Sequence, residues 1–213
     1  MITYDVSITA GIGSQIAIAV NGIVNPSTPI STLVATGEIT GSAVLELAAG
    51  DVITLRNNSG VALTMALAPS VGAQMNIVKV DANYGYGFEL ATVLDATVAG
   101  GADVPFSNNG PLTGVTHTAG TTTFRVPETG EYLITYGVSI TSGVGSQIAI
   151  AVNGTVDAST PISALVNTGE ISGSAVLTLA AGDNITLRNN SAVPFTMNLA
   201  PSAGAQINIV KIG

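Results

Sequence analysis

The sequence contains no cysteine and no tryptophan, a single histidine and only five basic residues in 213. Without cysteine there is no disulfide framework, no thiolate nucleophile and no zinc–thiolate centre, and redox chemistry does not indicate a compartment. The cations Arg56, Lys79, Arg125, Arg188 and Lys211 stand singly against thirteen Asp and Glu, for a net charge of −8. Phosphate backbones are neutralised by clustered cations, so a nucleic-acid partner is not expected. Charged residues make up 8% of the chain and aromatics 4%. Apolar runs are broken every few residues by Gly, Asn, Gln or Thr, and none reaches the roughly 18–20 residues of a membrane helix. Met1 leads straight into a strand pattern with no basic start and no long apolar stretch. No signal peptide or membrane span is expected, and any export would use another route.

What the sequence does have is a repeat. Residues 2–80 superimpose on residues 134–212 at a constant offset with no gap, and 61 of the 79 aligned positions are identical. Gly11-Ile12-Gly13-Ser14-Gln15-Ile16-Ala17-Ile18-Ala19-Val20-Asn21-Gly22 returns as Gly143-Val144-Gly145-Ser146-Gln147-Ile148-Ala149-Ile150-Ala151-Val152-Asn153-Gly154. Leu47-Ala48-Ala49-Gly50-Asp51 returns as Leu179-Ala180-Ala181-Gly182-Asp183. Residues 81–133 occur once, between the copies.

Alternation of period two runs through both copies and predicts an all-β fold. Tyr132, Ile134, Tyr136, Val138 and Ile140 fall on one face of a strand, with Leu133, Thr135, Gly137 and Ser139 on the other. Ile148, Ile150 and Val152 follow, and Asn153-Gly154 supplies the positive φ angles of a tight hairpin. Leu177 and Leu179 lead through Ala181-Gly182-Asp183 to Ile185 and Leu187, with a turn at Asn189-Asn190-Ser191. Phe195, Met197 and Leu199, then Ile207, Ile209, Val210 and Ile212, carry the last strands. In the unique segment the pattern predicts a strand from Phe88 to Val98, a polar loop from Gly100 to Gly114 and a short strand from Thr122 to Val126. No window has capped helical periodicity.

At Phe124-Arg125-Val126-Pro127-Glu128-Thr129-Gly130-Glu131-Tyr132-Leu133-Ile134-Thr135-Tyr136 the chain resembles the complement C1q and tumour necrosis factor superfamily. Val152-Asn153-Gly154, Leu179 to Leu187 and Ala205 to Ile212 fit the same family. The small-residue style is most similar to the C-terminal heads of bacillus-type collagen-like spore-surface (exosporium) proteins, although this sequence has no collagen-like Gly-X-Y stretch. The resemblance implies a ten-stranded jelly-roll sandwich that trimerises and acts by binding or display, without catalysis. On it, residues 81–213 form a complete domain, with early strands in 81–133 and late strands in 134–213. Residues 1–80 are then a partial copy holding late strands only. Pairing of the early segment with the first copy, giving a circularly permuted domain over 1–133, is the alternative.

No residue set announces chemistry, so no catalytic, cofactor-binding or metal site is expected and no ligand-binding residue is assigned. His117 lies in a Thr-rich stretch with no nucleophile motif around it and reads as a structural residue. Gly11-Ile12-Gly13 and Gly143-Val144-Gly145 open strands, where a phosphate cradle needs a helix N-terminus, and read as turns. Asp103, Asn108 and Asn109 offer calcium-type oxygen ligands without the spacing of a compact calcium loop. Asn57, Asn189, Asn153 and Asn184 begin N-glycosylation acceptor patterns and read as turn and strand residues. Asp51 with Arg56, and Asp183 with Arg188, are expected to pair across hairpins, each exposed pair contributing at most about 1 kcal/mol.

One early segment for two late copies leaves a sheet face and strand edges uncovered, on the order of 500 Å² of apolar surface that a monomer would not keep in water. Cover is expected from another chain, by strand exchange, half-to-half packing or trimer contacts. The expectation is therefore a non-enzymatic structural or display protein on a spore or cell surface, its partner a further copy of itself in a homotrimer, higher assembly or fibre. The strands Ile148–Val152 and Ala205–Ile212, with Tyr132 and Tyr136, would carry packing or subunit contact. A binding head for a surface glycan or protein, using the loops Asn108–Thr113 and Asn189–Pro194, is the alternative. An engineered permuted or tandem version of such a domain is another.

Overall fold

A computed structural model describes residues 1–81 and 83–213. Every regular element among them is a strand. The first copy holds β1 (Ile2–Ala10), β2 (Gln15–Val20), β3 (Ile23–Val24), β4 (Ile30–Ser31), β5 (Gly37–Ala43), β6 (Ile53–Asn57), β7 (Thr64–Met65) and β8 (Ala73–Ile77). The unique segment supplies β9 (Tyr84–Glu89), β10 (Thr97–Val98), β11 (Asn108–Thr113), β12 (Thr116–His117) and β13 (Phe124–Arg125). The second copy holds β14 (Gly130–Ser142), β15 (Gln147–Val152), β16 (Thr155–Val156), β17 (Ile162–Ser163), β18 (Gly169–Leu179), β19 (Asn184–Asn189), β20 (Phe195–Met197) and β21 (Ala205–Lys211).

The alternating pattern of the second copy becomes an antiparallel sandwich. Its first sheet runs β11-β9-β21-β14, with β18 on the other side of β14 and β20 joining β14 to β10. Its second sheet runs β12-β13-β19-β15, with β16 and β17 along β15. Tyr132, Ile134, Tyr136, Val138 and Ile140 of β14 turn inward as their alternation requires, and meet Phe106, Phe124, Ile150, Leu187 and Phe195 in one core. The early segment thus pairs with the second copy, β9 with β21, β10 with β20 and β13 with β19. Asn153-Gly154 makes the expected hairpin, with φ of 51° and 82°.

The unique segment departs from its pattern in two places. The chain from Phe88 to Val98 is not one strand: β9 ends at Glu89, and Thr92 N donates to the Asp95 carboxylate in a turn before the short β10. The stretch expected as a loop from 100 to 114 contains β11, which lies at the sheet edge beside β9 with its register shifted between Asn109 and Leu112. That shift takes in Gly110-Pro111. A proline with no N–H to donate is tolerated at an edge or a bulge, and Gly110 lets the Tyr86 ring approach so closely that a Cβ there would sit 2.2 Å from it.

The first copy repeats the second copy's internal pairing. β5, β7 and β8 pair with β1, while β3, β4 and β6 pair with β2. Its core gathers Ile2, Tyr4, Val6, Ile8, Ile16, Ile18 and Ile30. Tyr4 OH donates to Thr28 O as Tyr136 OH does to Thr160 O. Among the described residues no early strand lies beside β6, β7 or β8.

Candidate functional site

The polar residues singled out in the sequence are spent on structure. His117 is buried, stacked on Phe124 with ring centroids 4.0 Å apart, and its Nε2 lies 3.1 Å from Thr121 O while Nδ1 faces the Asn109 side-chain amide. Burial lowers its pKa, against the raising effect of the Thr121 carbonyl, and so favours the neutral ring. Asp103 is paired with Arg188, whose Nε lies 2.7 Å from its Oδ1, and Asn108 Nδ2 donates to Ser107 Oγ, so Asp103, Asn108 and Asn109 each have protein partners. No group of three His, Asp or Glu among the described residues is arranged to hold a metal.

The expected pairing of Asp183 with Arg188, and of Asp51 with Arg56, is not formed. Asp183 instead accepts from Asn153 Nδ2 and Ala180 N, and Asp51 from Asn21 Nδ2 and Ala48 N. Each aspartate ties one hairpin to the next turn, and the arginines reach the carbonyls of Gly154 and Gly22. Gly11-Ile12-Gly13 and Gly143-Val144-Gly145 are turns before β2 and β15. Asn57 and Asn189 close β6 and β19, Asn153 sits in the hairpin and Asn184 opens β19.

Among the described residues, the two copies meet along a built seam. An edge of the first copy, made of the turn before β4 and the end of β5, lies against the outward face of β9, β14 and β21. Outward-pointing polar residues on β21 do the joining. Gln206 Nε2 donates to Ser27 O at 2.8 Å and to Tyr86 OH, while Tyr86 OH also donates to Ser27 O at 2.7 Å. Asn208 Nδ2 donates to Ser42 Oγ at 2.7 Å and to Thr135 Oγ1 at 3.1 Å. Gln15 Nε2 donates to Ser202 Oγ, and Ala203 N donates to Pro29 O. An apolar cluster flanks this network, with Ala43 and Val44 packed on Tyr86, Phe88 and Val210. Most of these groups satisfy one another, which limits the cost of unpaired buried groups, while Asn208 Oδ1 is left buried without a partner.

At one end of the seam a cavity of about 320 Å³ is lined by Thr40, Ser42, Thr135, Ser172, Gln206 and Glu170. Glu170 Oε2 accepts from Thr40 N at 2.8 Å. Removal from water pushes its carboxyl up to about 8, with a smaller push from the negative charge of Glu38, against the lowering effect of the Thr40 bond. A raised pKa means the folded seam holds this proton. The stability it brings is full below the ordinary carboxylate range, near 4.5, and is lost as pH rises through about 8. Glu170→Gln should therefore leave stability nearly unchanged at pH 4. At pH 9 it should raise stability by on the order of 1–2 kcal/mol, allowing for the residue's partial exposure. Urea unfolding of both proteins at the two pH values measures this, and equal midpoints at pH 9 would refute it.

The sequence reading missed this seam. Ala205–Ile212 was expected to pack through its apolar residues, and Ile207 and Ile209 do. The intervening Gln206 and Asn208 were the available signal, since polar residues alternating along a core strand must face water or a partner.

Sheet order, strand alternation and the enclosed core of the second copy define the class as an all-β jelly-roll sandwich. The chain belongs to the BclA C-terminal domain family, which it matches over residues 1–81 and 89–213. It is a non-enzymatic structural or binding domain. No curated protein matches it significantly. Among solved structures it is similar to the globular domain of zebrafish complement 1qA, at 15% identity and a TM-score of 0.47, covering 62% of this chain and 98% of that one. It is also similar to murine APRIL, at 18% identity and a TM-score of 0.41 over 61% of this chain and 98% of that one. A third likeness is to Eiger TNF from S. frugiperda, at 18% identity and a TM-score of 0.42 over 62% and 92%.

Proposed function

We propose that this chain is a display head on a spore or cell surface that self-associates through the kind of contact formed at its seam. The observation that carries this reading is that both copies have the edge, and the first copy also has the part of the face that β14 and β21 supply in the second, without Tyr86 and Phe88 of the unique β9. The edge that the first copy uses, around Ser27, Pro29 and Val44, has its counterpart in Ser159, Pro161 and Val176. The face that the second copy uses, around Thr135, Gln206 and Asn208, has its counterpart in Thr3, Gln74 and Asn76. One edge and one face are joined within the chain. The other edge and the other face are open, with Ser159, Gln74 and Asn76 exposed to solvent. A heterologous contact of this type propagates between chains, closing a ring such as a trimer when the rotation allows and otherwise extending a fibre. The family's BclA designation supports the exosporium as the location.

The test is solution mass by light scattering behind size exclusion across a concentration series. A stable mass near three chains supports a closed trimer, and open-ended growth supports a fibre. A monomer at every concentration sinks the self-association reading. A second reading, recognition of a surface glycan or protein, is favoured by the hydroxyl- and carboxyl-lined seam cavity. It predicts saturable binding that Gln206→Ala weakens while the mass stays the same.

A further inference from the structure

We propose that the first copy is an acceptor site for an extended polypeptide of the same sequence type as residues 84–126, docking by strand addition on the free edges and open face of β6, β7 and β8. In the second copy the equivalent strands each take an early strand: β19 takes β13, β20 takes β10 and β21 takes β9. In the first copy, among the described residues, β6 pairs with β2 alone, and β7 and β8 with β1 alone. The apolar face behind those edges is correspondingly bare. Met65 is 48% exposed and Ile77 52%, against 0% for Met197 and Ile209. Asn57 is exposed and bonds within its own turn, whereas Asn189 is fully buried and donates to Val98 O, Ala99 O and Val193 O, two of them carbonyls of the early segment.

The identity of the occupant follows from the repeat. Ile185, Leu187, Asn189, Met197 and Ile209 meet the early segment in the second copy, and the first copy has the same residues at Ile53, Leu55, Asn57, Met65 and Ile77. Where the copies differ on this face, Leu63 replaces Phe195 and Met75 replaces Ile207, so apolar character is kept. A surface that differs so little should accept the same complement: an extended chain that adds backbone pairs along three edges and sets side chains such as Phe106 and Phe124 onto the sheet. The early segment of this chain is committed to the second copy, so the occupant is offered by another polypeptide. The inference requires no seam contact between chains: it uses the free strand edges and the inward Met65 and Ile77, whereas the seam reading uses the outward Gln74 and Asn76 of the same β8.

The experiment mixes the full chain with a synthetic peptide of residues 84–126 and follows amide hydrogen exchange. Exchange at β6, β7 and β8 should slow by roughly a hundredfold, saturating at one peptide per chain, with β19–β21 unchanged. Met65→Asp should abolish the protection and leave the second copy as it was. If the free peptide aggregates, a chain carrying an additional copy of residues 81–133 ahead of Met1 gives the same reading in cis, with β6–β8 expected to approach the protection of β19–β21. Unprotected β6–β8 in the tandem chain would overturn the proposal, as would protection that Met65→Asp does not remove. Solution mass is read in parallel, so failure of self-association and failure of strand acceptance are separate outcomes.

Discussion

Val44→Asp should release the first copy from the second, whereas Val176→Asp, at the same place in the repeat, should leave the chain folded and its stability within about 0.5 kcal/mol of the parent. The two valines sit in the same local sequence, Gly-Ser-Ala-Val-Leu. Val44 is 3% exposed and packed on Tyr86, Phe88 and Val210, while Val176 is 54% exposed. An aspartate at Val44 would be buried against two aromatic rings; the cations nearby, Lys79 and the Met1 ammonium, are already engaged by Asp81 and Val78 O. The cost of an uncompensated buried charge is about 3–5 kcal/mol, enough to open a seam held otherwise by a handful of hydrogen bonds of about 1 kcal/mol each. Hydrogen exchange reports the result directly, because the amides of Thr40, Ser42 and Ala203 donate across the seam. Protection of these amides should be lost in Val44→Asp and kept in Val176→Asp. Their survival in Val44→Asp would show that the seam does not depend on this cluster. Val176→Asp also reports on assembly: if the open edge is used between chains, this variant lowers the solution mass without disturbing the fold.

The repeat, the all-β class and most strands of the second copy were legible because one sheet face is buried there and alternation survives. Asn153-Gly154 was legible because few residue pairs adopt two consecutive positive φ angles. The early segment was harder to read. The short β10 and β12 have no room for a periodic pattern, and β11 contains Gly110-Pro111, which punctuates a sequence in the same way whether it marks a loop or an edge bulge. Arg188 was assigned to its hairpin neighbour Asp183, but its partner Asp103 lies 85 residues away, and a single-sequence pattern has no means of finding such a pair. The seam was illegible for a related reason. Ala73-Gln74-Met75-Asn76-Ile77 and Ala205-Gln206-Ile207-Asn208-Ile209 are nearly the same string, yet the first is exposed throughout and the second buried throughout. Local sequence sets the strand, and tertiary neighbours decide whether it ends in water.

That contrast fixes the other large effect. Leu187→Ala should cost about 2–5 kcal/mol, the range for emptying a fully enclosed leucine site, whereas Leu55→Ala, the same change in the same Ile-Thr-Leu-Arg-Asn string, should cost about 1 kcal/mol or less. Leu187 is fully buried in the main core, and its carbonyl accepts from Val104 N of the early segment. Leu55 is only partly covered and belongs to the smaller core of the first copy. A cavity penalty requires walls that stay in place when the side chain shrinks. Around Leu187 those walls include the early segment, and around Leu55 one wall is missing, so solvent and neighbouring side chains fill the gap at little cost. Chemical denaturation should show the first copy unfolding at lower urea than the second, with Leu55→Ala shifting only the early transition and Leu187→Ala only the late one. A single transition moved equally by both changes would mean that the copies fold as one unit. If an early segment is then supplied to the first copy, Leu55→Ala should become as costly as Leu187→Ala, because what separates the two leucines is the strand layer above them.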